Sequence, residues 1–299
     1  MLELNTPILL TYGVLTLALA FLWLPQVKPF PVLTQWPWLF PLLAAILFGL
    51  YYGFLQPIAL LAIVAFGLIC IIWSRSAEKR LLHWLSGCGV LLLTVALFLH
   101  LLPGFANPKV FSGLKLSADA APYNKYLNFD NALIGLGILG FGHRRLSGPA
   151  EWSAMLKQAA LLALATLLVV MLLSLWLGYV HWQPKWMPQF MIWAWGNLFF
   201  TCIAEEAFFR GFIQKNLMLG LSNITGGTAI ALLIASVLFG LAHLAGGVYY
   251  VFLATVAGIG YGWTYHKTRR IEAAIVTHFT LNSLHFLLFT YPVLASALQ

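Results

Sequence analysis

The apolar residues of this chain gather into runs long enough to cross a lipid bilayer, and that limits the fold more than any other feature. Nine such runs lie at about 8–24, 37–55, 57–73, 81–103, 158–180, 188–214, 228–245, 248–266 and 271–290. One crossing takes roughly 20 residues of helix. Only 8% of the 299 residues are charged and 62% are hydrophobic, whereas soluble domains carry about 25% charged residues. The expected fold is all-α, a polytopic transmembrane helix bundle of about nine or ten membrane segments.

The tenth segment is Asn131–Phe141, NALIGLGILGF, which is short and glycine-rich. It reads as a short span, a re-entrant piece or an interfacial helix. Phe105 to Asp130 is the one sizeable polar loop, with room for a small interfacial element and no recognisable motif. Basic residues in the loops decide orientation, because cytoplasmic loops concentrate Lys and Arg. If Asn131–Phe141 crosses, Lys28, Arg75, Lys79, Arg80, Arg144, Arg145, Lys157, Lys215, Lys267, Arg269 and Arg270 share one side. Lys109, Lys115, Lys125 and Lys185 lie on the other, and Arg210 lies within the membrane. Eleven against four makes the first side cytoplasmic. It also puts Trp182, Trp186, Trp193 and Trp195 near the outer interface as an aromatic belt.

The net charge of +8 does not point to nucleic acid, since the basic residues stand singly or in short clusters between apolar runs. Cys70, Cys88 and Cys202 fall inside those runs without C-x-x-C spacing, as buried thiols rather than a disulfide framework. The start of the chain has Glu3 and no Lys or Arg before its first apolar run, unlike the basic start of a cleaved signal peptide. A retained first helix is expected.

Asn197 to Lys215, NLFFTCIAEEAFFRGFIQK, places Glu205, Glu206 and Arg210 inside a run that is otherwise almost wholly apolar. A charged residue at the centre of a spanning helix costs about 2.5–3.5 kcal/mol on insertion scales. Glu206 and Arg210 are four apart, share a helical face and can pair. Glu205 is turned about 100° away, free of that pairing. Further on, Phe239 and His243 are four apart, as are His278 and Asn282, and His285 follows on roughly the same stripe. A single histidine in an apolar helix is ordinarily a hydrogen-bonded core residue. One acid, two imidazoles and an amide within three helices are harder to explain that way, because intramembrane ionisable groups are rare and face a cavity or one another.

E-E-x-x-x-R at Glu205, Glu206 and Arg210, F-x-x-x-H at Phe239 and His243, and H-x-x-x-N at His278 and Asn282 resemble the motifs of the CPBP (Abi) intramembrane proteases. That family includes the type II CAAX prenyl endopeptidases and proteins linked to bacteriocin processing or immunity. The resemblance covers about residues 188–290. It implies that Glu205 and His243 activate a water for attack on a peptide carbonyl, and that His278 and Asn282 stabilise the oxyanion. General chemistry agrees: a carboxylate in a low-dielectric cavity is a better base, and two N–H donors one turn apart can share an oxyanion. Glu205, His243 and His278 could instead bind a divalent metal, zinc in particular, with an open fourth position. H-E-x-x-H is absent, however, and Glu206 is taken up by Arg210, so no cofactor is the simpler expectation.

On this resemblance the chain divides into residues 1–155, membrane helices and a polar loop without recognised function, and residues 156–299, a CPBP-like protease domain with a catalytic four-helix core near the C-terminus. The implied activity is hydrolysis of a peptide bond in a membrane protein or lipidated peptide, by a multi-pass protein of the cell membrane. Two other classes compete. A scaffold or immunity protein would keep the motifs for stability, and a proton-coupled transporter would use the Glu and His as a relay. Substrate identity and oligomeric state are not written in the sequence.

Overall fold

The computed structural model describes residues 4–24 and 36–298; Glu3 and Lys28 lie outside the described residues. Every apolar run is a helix: α1 (Thr6–Ala20), α2 (Leu39–Tyr51), α3 (Ala59–Arg75), α4 (Arg80–Phe98), α5 (Phe129–Gly142), α6 (Pro149–Trp176), α7 (189–220), α8 (Gly227–Leu241), α9 (Val248–Thr268) and α10 (Ile271–Leu288). By length and composition, Thr6–Trp23, α4, α6 and α10 are long and apolar enough to cross a membrane, and α2, α3, α5 and α8 are shorter apolar helices. Leu43, Leu61, Leu92, Leu161 and Val248 stand more than half exposed on the outside. Apolar cover of that extent fits lipid rather than water. The protein is an integral membrane helix bundle.

The short run, α5, occupies the centre. Residues 129–140 are all buried, and glycine lets large neighbours press onto the backbone. A Cβ on Gly137 would stand 2.6 Å from the Phe66 ring of α3, and one on Gly140 would stand 2.6 Å from the Trp38 indole. With lipid kept away from it, α5 does not need the full length of a lipid-facing span.

Contacts at its two ends show which way α5 runs. At one end Lys215 Nζ donates to Gly142 O (3.0 Å), Arg270 pairs with Glu151 (3.6 Å), and Trp23 Nε1 and Leu146 N donate to Glu272 Oε1 at 2.8 and 2.9 Å. At the other, His100 Nδ1 donates to Asp130 Oδ2 (2.5 Å) and single backbone bridges join Leu55 to Phe105 and Trp182 to Phe289. α5 therefore passes from the second end to the first. The loops bearing Arg75, Arg144, Lys215 and Arg270 follow the same parity as the basic side of the sequence analysis.

The polar loop holds an antiparallel hairpin, β1 (Lys109–Leu114) with β2 (Tyr123–Tyr126), whose register shifts twice. Sequence left this segment without assigned structure. The hairpin belongs to a cap over one end of the bundle. Ala121 N donates to Val293 O (2.9 Å), Leu294 N to Tyr179 O (3.1 Å), and Gln183 N and Lys185 N to Leu288 O and Leu287 O (2.7 Å each). The Lys185 ammonium also donates to Phe289 O.

Two expectations are corrected here. Trp182 and Trp186 are exposed, as belt residues would be, but Trp193 is fully buried and donates to Tyr291 Oη (2.8 Å). Trp195 is half-buried and donates to Thr16 Oγ1 (2.8 Å). Each indole N–H finds an acceptor inside the bundle and so needs no headgroup. Cys70 and Cys202 are buried, whereas Cys88 is exposed on the outward face of α4.

Gly137→Ala and Gly140→Ala should each lower the melting midpoint in detergent, because overpacking a tight core typically costs about 1–3 kcal/mol. Gly67→Ala, where an added Cβ meets nothing within 4 Å, should leave the midpoint unchanged. For orientation, a lone cysteine at the exposed Glu78 in a cysteine-free background should react with an impermeant maleimide only after the membrane is opened. Reaction in intact cells would invert the topology.

Candidate active site

The acidic pair sits on α7, whose backbone changes pitch along its length. It is α-helical over Gln189–Asn197, π-helical over Leu198–Cys202, α-helical over Ile203–Glu206, π-helical over Ala207–Gln214 and α-helical again over Lys215–Gly220. π-turns are rare and occur frequently at functional sites. Here they bracket the one α-turn that carries Glu205 and Glu206. Residue spacing alone predicts a uniform α-helix and misses them.

Glu206 and Arg210 are both wholly buried. Glu206 Oε2 accepts from Arg210 Nε at 3.1 Å, while Oε1 accepts from His278 Nδ1 at 2.9 Å. One carboxylate thereby fastens α7 to α10. The Arg210 Nη atoms have no hydrogen-bond partner, and the guanidinium lies 5.2 Å over the Phe239 ring and 6.0 Å over Tyr261. Cation–π attraction is stronger when the cation is desolvated. Tyr261 also stacks on the His278 ring (4.5 Å between centroids), and Phe239 contacts the rings of both His243 (4.7 Å) and His278 (5.7 Å). Phe239 is thus the shared wall between the ion pair and the two histidines.

Glu205 stands apart from that cluster. Its side chain is 18% exposed, and Oε2 is buried without a hydrogen-bond donor, 3.9 Å from His278 Nε2. Orphaned buried carboxylate oxygens are rare and call for an explanation. His243 follows the end of α8, where its Nδ1–H donates to Phe239 O at 2.7 Å. That bond fixes the tautomer and leaves Nε2 as an acceptor. Asn282, one turn beyond His278, donates through Nδ2 to Asn197 Oδ1 (3.3 Å), with Cys202 Sγ at 3.9 Å.

Glu205, His243, His278 and Asn282 all line one cavity of about 460 Å³. Lys125, Asn197, Thr201 and His285 add polar surface to it, and Val170, Met171, Leu253, Ala254 and Ala257 form an apolar side. A second cavity of about 540 Å³ lies among α4, α7 and α8, lined by Leu91, Phe98, Phe208, Phe209 and Leu238. Glu205 and His243 border both. They occupy the seam between the two cavities.

Several residues of the chamber escaped the sequence analysis. Asn197 gave a signal, as a polar residue within the apolar run that leads to Glu205. Tyr261 gave none. Lys125 was counted only as a loop charge, yet it is 9% exposed and its ammonium donates to Thr201 Oγ1 at 3.0 Å. Burial pushes that ammonium down to about 8.

Among the described residues no three of His, Cys, Asp and Glu are grouped to hold an ion. His278 Nδ1 is engaged by Glu206 and His243 Nδ1 by a backbone carbonyl.

Residues 186–284 match the family model described as type II CAAX prenyl endopeptidase Rce1-like. The match is confined to this stretch. It covers about a third of the chain and contains Glu205, Glu206, Arg210, Phe239, His243, His278 and Asn282. No curated protein and no solved structure matches the chain. The matched stretch includes all of α8 and α9.

Removing one member of a buried ion pair typically costs about 3–5 kcal/mol, because its partner is left uncompensated. Glu206→Gln and Arg210→Met should each depress the thermal midpoint in detergent. The double substitution should recover part of the loss, short of wild type because His278 also leans on Glu206. If the double variant melts below both single ones, the charges are not compensating one another.

Proposed function

We propose that the chain is a CAAX-type intramembrane endopeptidase, hydrolysing a peptide bond of a membrane-associated substrate. The observation that carries this reading is the orphaned Glu205 carboxylate, lining one cavity with the free Nε2 of His243 and with the His278–Asn282 face. Glu205 takes a proton from water as the water oxygen attacks the substrate carbonyl carbon, and His243 Nε2 accepts the second hydrogen bond of that water. The carbonyl π electrons move onto oxygen. His278, with Nδ1 held by Glu206, meets that oxyanion through a protonated Nε2, alongside the Asn282 amide. The C–N bond then breaks, and the proton held by Glu205 passes to the leaving amine.

Aimed donors are worth most where charge develops out of water's reach. The cluster of Glu206, Arg210, Tyr261 and Phe239 keeps His278 and His243 from drifting. In this reading the catalytic groups all belong to residues 156–299, while residues 1–155 supply helices that pack around α7 and the hairpin that caps the chamber. The substrate class is a membrane protein or lipid-modified peptide, met in the cell membrane. The apolar cavity beside Glu205 suits the hydrocarbon part of such a substrate.

Purified protein in liposomes, given fluorogenic S-prenyl peptides, tests the reading directly. Glu205→Gln should melt at or slightly above the wild-type temperature and show no turnover. Asn282→Ala should lower kcat by about 10²–10³ with a much smaller change in KM, as expected for a donor used mainly in the transition state. Full turnover by folded Glu205→Gln protein would rule the mechanism out. Profiling membrane-protein C-termini in cells with and without the protein would name its substrates.

A further inference from the structure

The amide of Asn282 can serve an oxyanion only one way round. Its Nδ2 donates, whereas its Oδ1 accepts and would repel a negative oxygen. Half a turn about the last side-chain bond exchanges the two. What decides between them lies on α7. Asn197 Oδ1 accepts from Asn282 Nδ2 at 3.3 Å and from Cys202 Sγ at 3.2 Å, and the sulfur stands 3.9 Å from Nδ2. Those distances close a narrow triangle, with oxygen and sulfur on the same side of the nitrogen. The two N–H bonds of a planar amide diverge by more than that angle, so one is held by Asn197 and the other is left for the chamber that Asn282 lines. Turned over, Asn282 would set its oxygen against the oxygen of Asn197. Asn197 is 5% exposed and Cys202 wholly buried, and an unmade bond between buried polar groups costs more than its formation gains.

Asn197 and Cys202 are five residues apart. On an α-helix such residues diverge by about 140°, and their side chains do not meet. Leu198–Cys202 is π-helical, with Ile203 N donating to Leu198 O, so five residues make roughly one turn and the thiol comes up beside the amide. The first π-turn of α7 therefore has a local purpose. We propose that Asn197, pinned by Cys202 across this π-turn, is a positioning residue that fixes the Asn282 amide with an N–H aimed into the chamber. This rests on the endopeptidase reading and adds to it what sets the oxyanion donor. Asn197 acts through Asn282 and not on the substrate. A mere tie between α7 and α10 would be served by any well-packed pair and would not select which end of the amide faces α7.

Two measurements on the full-length protein test this. The first is turnover of a fluorogenic S-farnesyl peptide in liposomes. Asn197→Leu keeps the volume without the acceptor and should lower kcat by about 10- to 100-fold with little change in KM, less than the loss of the donor itself. Added to Asn282→Ala it should cause no further fall, because a residue that acts through another has nothing left to act on. Cys202→Ala should give a smaller fall of the same kind, and Cys202→Ser, which keeps a hydrogen-bond donor, should restore kcat. That pair carries the test should Asn197→Leu not fold. The second measurement is the NMR signal of the Asn282 side-chain amide in detergent, with nitrogen-15 asparagine and assignment by its loss in Asn282→Ala. Its two protons should be well separated in wild type and drawn together in Asn197→Leu. Wild-type kcat in folded Asn197→Leu overturns the proposal. So does a fall confined to KM, or an equal fall with and without the Asn282 side chain, which would make Asn197 a packing residue. No cleavage by wild type, with an amide that Asn197→Leu still releases, would leave the positioning standing and sink the protease reading. Cleavage with unmoved amide signals would do the reverse.

Discussion

The Glu206 carboxylate holds the site together, accepting from Arg210 Nε with one oxygen and from His278 Nδ1 with the other. In an apolar interior the Arg210 guanidinium would not be tolerable alone, and the acid would be equally costly without its donors. Arg210 on the same helix fixes the orientation of the carboxylate, and the single bond to His278 ties α7 to α10. The Arg210 charge not met by Glu206 falls on the faces of Phe239 and Tyr261, which bring α8 and α9 into the same assembly. The four helices of the Rce1-like stretch therefore meet around one buried acid. Their polar groups are not independent insertions into lipid.

This arrangement explains how two adjacent glutamates can differ so far in environment. A helix turns about 100° per residue, enough to send Glu206 into the aromatic cluster and Glu205 into the chamber. The flanking π-turns widen the helix on either side of that α-turn, bringing Asn197 and Cys202 to the Asn282 amide. Central α5 serves the same end from behind. Its glycine faces admit Phe66 and Trp38 so closely that α7 can be surrounded by protein on the side away from the chamber.

Much of this was legible in the sequence, for a physical reason. Helix positions follow from apolar runs, and i,i+4 spacing puts Glu206 with Arg210 and His278 with Asn282 on common faces. Both are local properties. What stayed hidden depends on distant partners. Nothing near His278 in the chain announces that its ring nitrogen belongs to Glu206, 72 residues earlier. Trp193 looked like an interfacial residue because its acceptor, Tyr291, is far off in the chain. The hairpin has weak alternation and two register shifts, so its strands lack the period-2 pattern that would reveal them. Lys125 reads from the sequence as a loop charge on the non-cytoplasmic side, while its destination depends on the close approach allowed by Gly196.

An acid and an amine in one small chamber raise a last question, since at such range they would be expected to collapse into an ion pair. Glu205 and Lys125 do not pair. The reason lies in what holds each of them. Lys125 comes from a strand capped by backbone bonds to the C-terminal segment, and its stem is fixed over Gly196 with its ammonium on Thr201. Glu205 leaves a rigid α-turn whose orientation is set by Glu206 next to it. Neither backbone can move without breaking the contacts that order the site. Opposite charges held apart in a low-dielectric space keep a strong field between them, and a group carrying its own complementary charges can enter there. The contacts that hold each backbone are what keep the two groups apart.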